Sequence, residues 1–195
     1  TNITRHSYNE VYFSQTERLD QVLSDEDTGI SNSLSQFFLA VNGVADTPNS
    51  LEARNVMIEN GKNMTSTFNR LYNELTFQMF AVNDDLESVA NRLTALGSNL
   101  AQINVDILTA TGGNEAVSPN DLLDKRDQIV TQIAELANVS TVETAEKTIN
   151  VYIGTGQSLV VGGISSKIGV IPGDPDTGEV DLSFELGSSP IRLTG

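Results

Sequence analysis

The sequence predicts an elongated α+β protein: an antiparallel helical bundle built on one long helix, about residues 51–110, followed by a small antiparallel β domain. Three observations lead to that class. First, from Met64 to Ile107 apolar residues recur in steps of three and four: Met64, Phe68, Leu71, Leu75, Met79, Val82, Leu86, Val89, Leu93, Leu96, Leu100, Ile103 and Ile107. This a/d seam lasts about six heptads, has one stutter at Leu75, and is not interrupted by proline. Second, glycine, threonine and valine dominate from Val139 onward, and the apolar period drops to two. Third, residues 51–110 as one helix extend ~90 Å. A compact globule of 195 residues has a radius of gyration of roughly 16 Å, so the fold is expected to be elongated.

The elements follow in order. Residues 7–23 carry a loose helical pattern with Val11, Leu19, Val22 and Leu23 on one side, and Asp25-Glu26-Asp27-Thr28-Gly29 makes an acidic turn. Ser33 with Gln36 reads as a capping box. Leu34, Phe37, Phe38, Val41 and Val44 then give a helix over 34–46. Asp46-Thr47-Pro48-Asn49 breaks it, with Thr47 as the expected N-cap of the long helix and Pro48 at its first position. Thr111-Gly112-Gly113 ends the long helix, glycine supplying the left-handed conformation. Gly61 and Gly97 inside it each cost about 1 kcal/mol relative to alanine, so they mark bends or close approaches. A last helix is expected over 118–137, with Ser118 as N-cap, Pro119 at N1, Asp121 at N3, and Leu122, Ile129, Ile133 and Leu136 as its stripe. Asn138 closes it. Ile149, Val151 and Ile153 alternate, as do Val180, Leu182, Phe184 and Leu186. Gly154-Thr155-Gly156, Gly162-Gly163 and Asp174-Pro175-Asp176-Thr177-Gly178 read as turns between strands. The expected division is a helical rod domain, 1–138, and an incomplete β domain, 139–195.

Each apolar residue of the seam is worth ~1.5–3 kcal/mol when buried, so the stripe needs cover. Its expected centre is Leu75, Val82, Leu86, Val89, Leu93, Leu96 and Leu100. Helix 118–137 can cover the C-terminal third, and the helix ending near Ala45 the start. The middle, near Phe77 to Val89, is expected to be thinly covered by the chain itself.

Composition excludes several function classes. The formal net charge is −15, and the eleven Lys and Arg are dispersed, with Lys125-Arg126 the one adjacent pair. Nucleic acid and anionic membrane surfaces are therefore poor partners. The chain has no cysteine, which removes disulfide scaffolds, thiolate metal sites and cysteine nucleophiles. His6 is the single histidine, so histidine-based triads and multi-histidine metal sites are absent. No apolar run approaches ~18 residues, so no membrane insertion is expected. The chain opens without a start methionine or signal peptide and stops inside a strand pattern. It is expected to be a piece of a longer protein.

No catalytic, cofactor or metal residues are expected. Asp84-Asp85-Glu87, Asp121-Asp124-Asp127 and Asp25-Glu26-Asp27 have the makings of acid/base or cation sites, but solvated helix faces and capping account for them better. Asp174-x-Asp176-x-Gly178 with Asp181 and Glu185 approaches a calcium loop. Its glycine is one place early for an EF-hand and no helix follows, so a turn between Val170-Ile171 and Val180-Asp181 is the better reading. The glycine pairs lack the strand-loop-helix context of a phosphate cradle.

One stretch is specific enough to name a family. Pro119-Asn120-Asp121-Leu122-Leu123-Asp124-Lys125-Arg126-Asp127-Gln128 resembles the helix opening of the flagellar hook-associated protein 1 family, the first hook–filament junction proteins. The resemblance continues through Glu135-Leu136-Ala137-Asn138-Val139 and through Ile149-Asn150-Val151-Tyr152-Ile153-Gly154-Thr155-Gly156-Gln157-Ser158-Leu159-Val160. Upstream, Asp27-Thr28-Gly29-Ile30, Leu34-x-x-Phe37-Phe38 and the Pro48 to Arg54 start of the long helix also match, so that roughly residues 17–162 are covered.

The resemblance implies a non-enzymatic structural subunit of the bacterial flagellum, extracellular, exported through the flagellar secretion apparatus without a cleaved signal. It implies as partners neighbouring copies in a ring, the hook protein, the next junction protein, and an export chaperone in the full-length protein. Within the matched stretch, Asn120, Asp121, Leu122, Leu123, Asp124, Arg126 and Asp127 are expected to cap, pack and pair. Leu122 and Leu123 should pack on the long helix. Arg126 should pair with a neighbour of Asp127 or a carboxylate on the long helix. The reading from another class is a secreted coiled-coil adhesin or binding module with a β tip.

Overall fold

In the computed structural model the described residues are 13, 14, 16, 17, 30–112, 119–173, 177–186 and 189–193. Three helices are described in full among them: α1 (Ile30–Asp46), α2 (Leu51–Thr111) and α3 (Asn120–Leu136). Seven strands follow: β1 (Val139–Glu143), β2 (Ile149–Ile153), β3 (Gln157–Val161), β4 (Ile164–Ser165), β5 (Lys167–Pro172), β6 (Val180–Leu186) and β7 (Ser189–Arg192). The predicted class, a bundle on one long helix followed by antiparallel strands, is the class found. Of the expected 7–23 helix, Phe13, Ser14, Thr16 and Glu17 are helical. The remainder, with His6 and Asp25-Glu26-Asp27, lies outside the described residues, as do Gly113, Ser118, Asp174, Pro175 and Asp176.

Three helix starts differ from expectation, each for a local reason. Ile30 is already helical, so Ser33 lies inside the first turn and its hydroxyl donates back to the Ile30 carbonyl, 2.9 Å. At α2 the cap is Ser50 rather than Thr47. The Ala53 N–H donates to Ser50 Oγ at 3.2 Å, the bond from N3 to an N-cap side chain. Thr47 instead finishes α1, its N–H and hydroxyl both reaching the Gly43 carbonyl. Arg54 then folds back onto the Pro48 carbonyl, Nη2 at 2.6 Å. At α3 the Pro119 carbonyl accepts the first helical bonds, from Leu122 and Leu123, so Pro119 is the cap position and Asp121 is at N2 without a capping bond. At the other end of α2, Gly112 adopts φ +55°, as the terminator reading required.

The described residues form two compact units, one up to Phe80 and one from Ala81 onward. The grouping therefore divides inside α2. In the first unit α1 runs back along the start of α2. Gly61 faces the Phe37 ring, which would lie at an ordinary 3.5 Å from a Cβ there, and Ala40 and Leu71 are the buried residues.

In the second unit one apolar core joins all element types. It comprises Ala90, Leu93, Leu100 and Ala101 of α2, Ile133 of α3, Ile149, Val151, Ile153, Leu159 and Val160 of the first sheet, and Ile168 and Phe184 of the second. The sheets are β1-β2-β3-β4 and β5-β6-β7, all neighbours antiparallel. The alternation in β2 and β6 puts Val151 and Phe184 inward, as the period-two pattern requires. Turns at Gly154 (φ +58°) and Gly162 (φ +57°) connect β2 to β3 and β3 to β4.

Candidate functional site

The first candidate is the matched stretch on α3. Asn120, Asp121, Asp124 and Asp127 are exposed, and Leu122 and Leu123 are half-buried. Arg126 is the exception, a charged residue only 7% exposed. Its Nε donates to Asp127 Oδ1 at 2.8 Å and its Nη1 to Glu143 Oε1 at 3.0 Å, and Nη1 also bonds the Lys147 carbonyl. Its acidic partners are thus Asp127 itself and a β1 residue, not the long helix as expected. Burial alone works against the guanidinium charge, but hydrogen bonds and attraction from Asp127 and Glu143 outweigh it and raise the pKa above the ordinary value. Lys147 takes a left-handed conformation (φ +63°), the one non-glycine residue to do so among those described. Arg126 therefore pins α3 to β1 and to the strained β1–β2 turn.

The second candidate is the face of α2 toward the sheets. Continuing the pairing of Val151 with Val160 would set Ile149 opposite Gly162. Fully buried Asn104 stands between them. It accepts from the Ile149 N–H at 3.0 Å, and its amide donates to the Ile149 carbonyl at 2.9 Å and the Gly162 carbonyl at 2.7 Å. Two further side chains grip strands in the same way. The Thr94 hydroxyl accepts from the Ile168 N–H at 2.9 Å and donates to its carbonyl at 3.2 Å. Asn83 accepts from the Val180 N–H at 3.2 Å and donates to the Gly178 carbonyl at 2.7 Å. Gly97 lets β3 approach: a Cβ there would lie 3.3 Å from Leu159 Cγ and Cδ1.

The predicted seam residues are placed unequally. Leu93 and Leu100 are buried, Leu86, Val89 and Leu96 are half-buried, and Leu75 (39%) and Val82 (38%) are exposed. The buried line runs Ala90, Leu93, Gly97, Leu100, Asn104, Ile107 and Thr111, which keeps the three-four spacing but passes through three residues that an apolar count skips. Of Asn83, Thr94, Gly97 and Asn104, the sequence pattern marks Gly97 alone, as a bend or close approach. For Asn104 the signal in the sequence is an asparagine in three-four register with Leu93, Gly97, Leu100 and Ile107.

Among the described residues no group of three or more His, Cys, Asp and Glu is arranged to hold a metal ion. Asp181 is paired with Arg192, and Glu185 with Lys167 at 3.0 Å, so the two carboxylates of the suspected loop that are described make ion pairs along the sheet. Ile171 pairs with Asp181 and Pro172 with Val180, the strand pairing expected on either side of that turn. No helix among the described residues is long and apolar enough to cross a membrane.

The family model described as the flagellar hook-associated protein FlgK helical domain matches residues 16–194. The flagellar hook-associated protein 1 of Salmonella typhimurium is 25% identical over 172 residues, covering 88% of this chain and 31% of that protein. That of Escherichia coli K12 is 23% identical over 177 residues, covering 91% and 32%. The structure of the flagellar hook junction protein FlgK from Burkholderia pseudomallei superposes with a TM-score of 0.85 at 24% identity, over 98% of this chain and 33% of that one. The chain spans about a third of the length of these relatives.

Proposed function

Because the chain belongs to the flagellar hook-associated protein FlgK helical-domain family, we propose that it is part of a structural, non-catalytic subunit at the hook–filament junction of a bacterial flagellum. The observation that carries this reading is the family match over residues 16–194. The agreement in fold with a hook junction protein supports it. So do the side chains of Asn83, Thr94, Asn104 and Arg126 in the second unit, which are all engaged in holding elements together.

In this reading the full protein is extracellular, exported by the flagellar secretion apparatus with the help of a chaperone. It neighbours copies of itself in a ring, with hook protein on one side and the next junction protein on the other. The stretch Asn120–Asp127 serves packing, with Arg126 its key residue. Residues 1–138 and 139–195 serve as successive helical and β layers of the subunit. Cells lacking the full-length protein should carry hooks without filaments, and antibody against this chain should label the distal end of the hook in wild-type cells. Filaments of normal number and length in the deletion strain would overturn the reading.

A further inference from the structure

Apolar packing of a helix on a sheet is non-directional and by itself tolerates sliding along the helix axis. The hydrogen bonds that Asn83, Thr94 and Asn104 make are directional, and each takes both an N–H and a C=O, within a strand for Thr94 and Asn104 and at the entry to β6 for Asn83. The three side chains are spaced eleven and ten residues apart on α2, so each lies about three turns, ~15 Å, from the next. Two of them hold β5 and β6 of one sheet, and the third holds β2 of the other, where β2 and β3 part. Among the described residues no strand of one sheet pairs with a strand of the other. We propose that Asn83, Thr94 and Asn104 form a three-point axial lock through which α2 sets the position of both sheets along its axis, so that the grips open together rather than singly. A slip of one helical turn would break all three at once, because they are carried on one helix. The proposal holds whether or not the chain sits at a hook junction.

Amide hydrogen exchange of the chain tests it, since the Ile149, Ile168 and Val180 N–H groups report on one grip each. Thr94→Val keeps the side-chain shape and removes the hydroxyl. The lock predicts faster exchange, about tenfold as expected from losing one or two hydrogen bonds, at Ile149 and Val180 as well as at Ile168. A core variant in α3 with the same loss in melting temperature, Ile133→Val, should leave those three amides less affected. Acceleration confined to Ile168, or equal at all three amides in the control, overturns the lock. Should Thr94→Val fail to fold, Asn83→Ala at the periphery gives the same reading at Ile149 and Ile168.

Discussion

Asn104 shows what one buried amide does in an apolar setting. Its three bonds satisfy one N–H and two carbonyls at the diverging ends of β2 and β3. An unpaired buried polar group costs ~1–3 kcal/mol. Asn104→Ala should therefore lose roughly 3 kcal/mol or more in denaturant unfolding, well above a typical surface change. Asn104→Asp keeps the acceptor for Ile149 but turns a carboxylate toward two carbonyls. That raises the carboxyl pKa in the folded state above its unfolded value, so the destabilisation should be greatest at neutral pH and shrink as the pH falls. Arg126 differs because Asp127 and Glu143 are more than half exposed. Freed by Arg126→Ala, both are solvated, and the loss should be about 1–3 kcal/mol, mainly packing and the bond to the Lys147 carbonyl. With its pKa raised further in the fold, Arg126 contributes its stability at all pH values below the unfolded guanidinium pKa and loses it only above. Wild type should thus show no stability loss attributable to Arg126 between neutral and moderately alkaline pH.

The long helix α2 makes opposite demands on its two internal glycines. At Gly61 a Cβ would meet the Phe37 ring at 3.5 Å, an ordinary contact. Gly61→Ala should stabilise by roughly 0.5–1 kcal/mol through helix propensity. At Gly97 the same group meets fully buried Leu159 at 3.3 Å, and Leu159 has core neighbours behind it. Gly97→Ala should destabilise despite the propensity gain, and paired thermal melts of the two variants should move in opposite directions. The seam gives a second contrast. Leu93→Asp places an unpaired charge in the core and should cost ~4 kcal/mol or more, while Leu75→Asp, at a 39% exposed position, should change stability by less than about 1 kcal/mol. Equal losses would mean that the two halves of the stripe are covered alike.

At the scale of the whole molecule, the long helix serves two compact units with very different cover. From Ala90 to Ile107 it contributes five of the buried apolar residues, whereas Leu71 is the only such residue of α2 up to Phe80. Tyr72 (71%), Phe77 (73%) and Phe80 (53%) are exposed. Amides over 60–80 should consequently exchange faster than those over 90–107, because local opening tracks buried apolar contact. Uniform protection along α2 would contradict this.

The three- and four-residue periodicity determined that α2 exists and nearly where it ends, and the glycine turns and period-two runs determined the strands from β2 onward. Those signals are local: a stripe repeats, a left-handed turn wants glycine, a strand alternates. The family resemblance was legible for the same reason, in the contiguous stretch 119–128. Cap identity was harder to read, since Thr47, Asn49 and Ser50 all carry a capping oxygen and the choice depends on which finishes α1. Only the tertiary structure decided that the seam is covered by two sheets as well as by α3, that Gly97 admits Leu159, and that Asn83, Thr94 and Asn104 hold strands 74 to 97 residues or 45 to 58 residues away in sequence. A side-chain amide carries no mark of whether it faces water or a strand's unpaired peptide. That is set by where two strands part, a property of the assembled fold.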